Sequence, residues 1–318
     1  LGDSVNIHFT NESPESHTIH LHGLDVDQVN DGVPSTSFYV VPDETVTYSF
    51  NADNPGTFLY HCHVTTTIHL TMGMYGMISV NGPDGHIFEG GPGYTNVYHF
   101  LSSDLEVETN DAPTDAFPFH EIYPDYFMIN GKSGATLEGS VDETITAYVG
   151  DTIALRLGSM AYSKTSFVFP AGSNAKVWMS DGRPVPEPFE SDTLEVYPGE
   201  RYTVFLYPDE SLEENIKVLY HSMLSNQQVG VNEISLFNLG IPDYVSSFNP
   251  APRKLKVFPN PTTDILNLVA EKATTIKVFD MLGNECMFTA ITTGNNTLDL
   301  SGYAPGIYFI KDSSGGAQ

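Results

Sequence analysis

Phe58-Leu-Tyr-His-Cys-His63 has an altered copy in Val218-Leu-Tyr-His-Ser-Met223, and reading the two as one repeated strand decides the fold. Two more pairs support the duplication. Leu1-Gly-Asp-Ser-Val-Asn-Ile7 matches Val149-Gly-Asp-Thr-Ile-Ala-Leu155, and Pro42-Asp-Glu-Thr-Val-Thr-Tyr-Ser-Phe50 matches Pro198-Gly-Glu-Arg-Tyr-Thr-Val-Phe-Leu206. The separation between matched positions grows along the chain, as expected if loops in the second copy lengthened. Short alternating or β-branched segments recur, among them Ser4-Val-Asn-Ile-His-Phe9, Thr45-Val-Thr-Tyr-Ser-Phe50 and Thr57-Phe-Leu-Tyr60, with Gly and Pro between them and no long helical periodicity. The expectation is an all-β protein containing two tandem β-sandwiches.

Composition divides the rest. The first sandwich is expected over residues 1–84, and a connecting segment rich in Gly, Pro, Asp and Thr over 85–124. The second sandwich follows over 125–240, then a Pro-stiffened linker over 241–253 and a third unit over 254–318. The opening Leu1-Gly-Asp3 has no initiator Met and already reads as the edge of a β-domain, which suggests an N-terminally incomplete fragment. The polar Ser-Ser-Gly-Gly ending suggests the same at the other end.

Across 318 residues, 13 Lys and Arg stand against 40 Asp and Glu, a formal charge of −27. That balance argues against nucleic acid and anionic membrane surfaces as partners. No apolar run approaches the ~20 residues needed to span a bilayer. The two cysteines, Cys62 and Cys286, fall in different predicted domains, so no disulfide framework holds the chain and the role of Cys62 is chemical.

Six of the 11 histidines cluster between residues 17 and 69, in Ser16-His-Thr-Ile-His-Leu-His-Gly23, in Tyr60-His-Cys-His-Val64 and at His69. Such density points to metal. In an extended chain, neighbours one apart face opposite ways and those two apart share a face. His61 and His63 therefore project together, away from Cys62, and His20 and His22 project together, away from His17. Two donor sets result. On the inner side Cys62 meets His17, His69 and Met74, with Met72 as the alternative thioether. A His₂Cys set with a weak axial Met is the pattern of a blue-copper centre, and zinc, its competitor, has little use for the thioether. On the outer side stand His20, His22, His61 and His63. Because His61 and His63 flank Cys62, a short covalent route joins the two sets, as suits an enzyme that collects electrons at one metal and uses them at another. His8, His86, His99 and His120 have no spacing that links them to either set.

These residues resemble the multicopper oxidases, whose last cupredoxin domain carries a His-x-x-His-x-His string and a His-Cys-His string. The resemblance implies Greek-key cupredoxin sandwiches, type 1 copper on His17, Cys62, His69 and Met74, and further copper of type 2 or type 2/3 on His20, His22, His61 and His63. It also implies a small-molecule or small-protein electron donor, dioxygen as acceptor, and a homotrimer. The gap from Cys62 to His69 is more like that of two-domain members. A complete trinuclear cluster takes eight histidines, so a partner domain is expected to supply the others. The second copy offers Lys164, Phe167 and Phe169 opposite His17, His20 and His22, and His221, Ser222 and Met223 opposite His61, Cys62 and His63.

One surviving histidine in the second domain is similar to the copper nitrite reductases. That alternative implies type 2 copper on His22, His61 and a neighbouring subunit's His221, with nitrite as acceptor. His20 in the position of that family's catalytic Asp, His63, and the missing second-domain histidine around Ser173-Asn-Ala-Lys-Val-Trp178 depart from it. Another alternative is a non-enzymatic cupredoxin for electron transfer or copper binding, with His221 an ordinary strand residue. Finally, Val257-Phe-Pro-Asn-Pro, Ile276-Lys-Val-Phe-Asp-Met-Leu-Gly283 and Gly306-Ile-Tyr-Phe309 resemble the C-terminal sorting domain of the type IX secretion system. This implies a small β-sandwich, handling by that machinery, and export across the outer membrane of a Gram-negative bacterium.

Overall fold

The computed structural model describes residues 1–113, 122–212, 214–240, 255–259, 262–280 and 284–312. The expected linker over 241–253 and His120 lie outside the described residues. Residues 1–242 form one compact unit and 243–318 a second.

The duplication seen in sequence is repeated in strand register. In the first copy Ser4–Thr10 pairs antiparallel with Thr45–Asn51, placing Val5 against Phe50 and Ile7 against Tyr48. In the second, Ile153–Ser159 pairs antiparallel with Arg201–Leu206, placing Ile153 against Leu206 and Leu155 against Val204. Residues equated by the repeat thus pair with residues equated by the repeat. Each copy then adds a ladder carrying the histidine string. In the first it runs His20–His22, Gly56–His61, Tyr75–Val80; in the second, Thr193–Val196, Lys164–Val168, Ile216–His221, Gln228–Ile234.

Register corrects one expectation. His20 pairs with His61 and His22 with Leu59, whereas His221 pairs with Lys164 and Leu219 with Ser166. Lys164 and Ser166, not Phe167 and Phe169, therefore occupy the places of His20 and His22. The shift arises because the two loops leading into these strands differ in length, so matching by sequence spacing slips by three residues.

A second correction concerns the segment expected to connect the sandwiches. Asn96–Leu105 is a strand, pairing parallel with Ile153–Ser159 inside a six-stranded sheet. The sequence Asn96-Val-Tyr-His-Phe-Leu-Ser-Ser-Asp-Leu105 is polar enough to read as a loop. Its apolar members, such as the fully buried Phe100, instead join the second core with Ile129, Leu155, Leu157 and Val204.

Ile153–Ser159 is buried along its whole length because both of its faces are covered. Ile153, Leu155 and Leu157 enter the second core. Ala154, Arg156 and Gly158 project the other way, where a side chain at Gly158 would meet Met77 and Leu59 of the first copy. The two sandwiches are thus packed against each other within one unit. Separately, residues 255–312 contain two three-stranded sheets around Leu266, Leu268, Ile276, Val278 and Leu298.

Candidate metal centre

The inner donors converge. Cys62 is 2% exposed, His69 5% and His17 7%. The Cys62 Sγ lies 3.1 Å from His69 Nδ1 and 3.5 Å from His17 Nδ1, and the two imidazole centroids are 4.6 Å apart. Each is held by a different device. His17 is bonded through its backbone to Val40 in both directions. His69 rides on the short helix Thr66–Thr71, entered through Thr65 at φ 43°, and its Nε2 is 3.4 Å from a Glu15 carboxylate oxygen. The loop between Cys62 and Met74 is closed by Cys62 N–H donating to the Met74 carbonyl and Met74 N–H donating to that of His69, both at 3.0 Å. Met72 is 46% exposed while Met74 is half-buried. Burial, with the neighbouring His69 second, holds His17 below the usual imidazole pKa, so it stands neutral with a lone pair to offer.

The outer imidazoles gather on the opposite side of the Cys62 strand. Ring centroids separate His20 from His61 by 5.1 Å, from His63 by 5.3 Å and from His22 by 5.7 Å, and His22 Nδ1 is 3.3 Å from His61 Nε2. His61 donates from Nδ1 to the Cys62 carbonyl at 2.9 Å, and His20 from Nδ1 to that of Asp31 at 2.7 Å. Both bonds place the proton on Nδ1 and leave the lone pair on Nε2, the second-sphere arrangement that fixes a metal-binding tautomer. Burial first, then the Arg201 guanidinium, lowers the His22 pKa to about 4.

Donor atoms of His17, Cys62 and His69 lie within 4.8 Å of one another, as do those of His20, His22 and His61. The soft thiolate with two imidazoles fits copper, and the all-imidazole set fits copper or zinc.

Four contributors had no sequence signal strong enough to find them. Glu15 tethers His69. Asp31 holds the His20 ring through its carbonyl at 2.7 Å, with a carboxylate oxygen 3.4 Å from the same nitrogen. Arg201 and Gly199 come from the second copy, where a side chain at Gly199 would stand 3.3 Å from the His22 ring.

His221 stands apart from both sets. Its Nδ1 is buried without a hydrogen-bond partner, and the adjacent strand position holds Lys164, paired to Glu195 at 2.6 Å. Burial, then that ammonium, lowers its pKa, while Glu195 opposes. His8 bonds Thr47 and His86 the Pro83 carbonyl; neither approaches the donor sets.

A β-sandwich presenting a buried cysteine to two imidazoles, backed by a face of four more, defines a cupredoxin-like metalloprotein. Residues 1–85 and 93–215 match two family models, each described as multicopper oxidase, and residues 256–318 match the secretion system C-terminal sorting domain. The chain belongs to the multicopper oxidase family and ends in a sorting domain that directs export by type IX secretion. The blue copper oxidase from Nitrosomonas europaea is 29% identical over 74% of each chain, with a TM-score of 0.61. The copper-containing nitrite reductase of Neisseria meningitidis serogroup A is 28% identical over 163 residues, covering 47% of this chain and 40% of that protein. The L-ascorbate oxidase of Cucurbita pepo var. melopepo is 28% identical over 245 residues, covering 67% and 43%. The chain spans about two fifths of the length of these curated relatives. Among the described residues, no helix is long and apolar enough to cross a membrane.

Proposed function

We propose that this chain is a secreted copper oxidase in which His17, Cys62, His69 and Met74 hold type 1 copper and His20, His22, His61 and His63 contribute to a second copper centre. Copper in the two sets would supply one-electron transfer from an outside small-molecule or small-protein donor to dioxygen. The observation that carries this reading is the placement of four imidazoles on one face with Cys62 on the other. His61 and His63 are each one peptide from the thiolate-bearing residue, so the two donor sets are joined by a few covalent bonds. Asp31 and the Cys62 carbonyl hold the ring orientation of His20 and His61, and Glu15 that of His69. The remaining cluster histidines would come from a partner subunit, in keeping with a homotrimer.

The nitrite reductase alternative draws on the Neisseria relative and on the unpartnered His221 Nδ1. Against it stands Lys164, whose ammonium sits beside His221 and opposes the approach of a copper cation. Copper content separates the readings: about four atoms per subunit favours the oxidase, about two the nitrite reductase, and one an electron carrier. Oxygen uptake with a phenol, set beside nitrite reduction with an artificial donor, then assigns the acceptor. A loaded protein that does neither refutes the enzymatic reading.

A further inference from the structure

Arg156 is completely buried on the face of its strand that looks toward the first sandwich. Its Nη1 reaches two neutral hydroxyls, those of Thr57 at 3.4 Å and Thr203 at 3.5 Å, and the Tyr94 hydroxyl stands close to the group as well. Its Nε and Nη2 bond nothing. Among the described residues no carboxylate forms an ion pair with it, although five other Lys and Arg residues do find one.

The magnitudes make this arrangement incomplete. Two long hydrogen bonds to hydroxyls contribute about 1 kcal/mol each at best. A buried charge without a partner costs several kcal/mol. Burial pushes the Arg156 pKa down, with the nearby Tyr94 hydroxyl opposing, yet a guanidinium stays protonated in proteins. The unfilled atoms are not scattered. Nε–H and Nη2–H lie along one edge of the planar group and point the same way, the edge that accepts two oxygens of a planar oxyanion. A second polar group in the same interface is also unsatisfied: Ser79, directly opposite Thr57 in the ladder, has a buried hydroxyl with no partner. Directly opposite residues share a face of the sheet, so this hydroxyl is on the Arg156 side.

We propose that Arg156 is an anion site between the two sandwiches, taking a small monovalent inorganic anion, with a planar oxyanion of nitrate size fitting its free edge best. The anion neutralises the cation, fills both unbonded nitrogens, and adds ionic cohesion where Arg156 meets the hydroxyls of Thr57, Ser79 and Thr203. No bond is made or broken.

Copper-loaded full-length protein crystallised in sodium bromide, with data collected at the bromine absorption edge, tests this without any variant. An anomalous peak within hydrogen-bond distance of Nε and Nη2 is expected; water alone on that edge overturns the proposal. In solution, exchanging gluconate, which is too large to be enclosed, for nitrate at constant ionic strength should raise Tm by about 5 °C at saturating nitrate. Arg156→Met should abolish the rise, and Arg156→Lys, which keeps the charge without the fork, should remove the preference for nitrate over bromide. A rise retained in Arg156→Met places the anion elsewhere and overturns the assignment, as does the absence of any rise in the unaltered protein.

Discussion

Gly23 touches Arg201 across the boundary between the two sandwiches. A Cβ built at residue 23 would lie 2.2 Å from the Arg201 Nη2, and Gly23 itself sits at φ +87°, a conformation that side chains resist. Gly23 directly follows His22, so the second sandwich presses its guanidinium against the end of the outer histidine strand. Arg201 is in turn fixed by Asp181 at 2.9 Å and by the Gly199 carbonyl at 2.7 Å.

Gly23→Ala should therefore destabilise the protein by about 2–4 kcal/mol, combining backbone strain with displacement of Arg201. The steric part vanishes when Arg201 is shortened, so Gly23→Ala with Arg201→Ala should cost less than the sum of the single changes. Urea denaturation of the four proteins of the cycle measures the coupling.

Cys62→Ser keeps the size of the side chain and removes the thiolate. The copper-loaded variant should lose the intense visible band of a thiolate–copper bond while its far-ultraviolet circular dichroism remains that of the parent. Retention of the band would show that another residue supplies the sulfur.

Acid should weaken the metal-free protein through His22. Its pKa is lowered on folding from 6.5 to about 4, so between these values the unfolded chain binds the extra proton. Stability is fully present above pH 6.5 and is lost as pH falls toward 4. Thermal melts of copper-free protein across that window should show a fall in Tm, and His22→Gln should make the profile shallower.

Lys164→Met should raise the pKa of His221, because the ammonium that disfavours its protonation is gone, while Glu195, half exposed, resolvates. Nuclear magnetic resonance titration of the His221 ring reports the shift. Lys164→His should go further and create a metal-binding pair with His221, since the equivalent pair His20 and His61 has centroids 5.1 Å apart. An added Cu(II) equivalent, detected by elemental analysis after dialysis, is the expected result.

Most of the inner and outer sets could be read from the sequence because they obey strand parity. His20, His22, His61 and Cys62 lie in or next to paired strands, and alternation alone assigns their sides. The repeat was legible for the same reason, through matched turns and strands. What escaped was set by tertiary packing. Lys164 takes the place of His20 only once the ladder register is known, because loop length decouples sequence spacing from pairing. Asn96–Leu105 hides its strand character because it buries polar residues, Ser102, Ser103 and Asp104, although it is paired on both sides within the six-stranded sheet. Arg201, Glu15 and Arg156 act across long sequence separations, where no periodicity connects them to their partners.

The exchange of His20 for Lys164 in the second copy has a consequence for maturation. A tethered ammonium paired to Glu195 cannot be chelated, diluted away or left unfilled, so the second sandwich carries its own resident cation from synthesis onward. On the proposed copper assignment only the first sandwich waits on supply from outside, and a chelator should loosen that half while the other keeps its protection against hydrogen exchange.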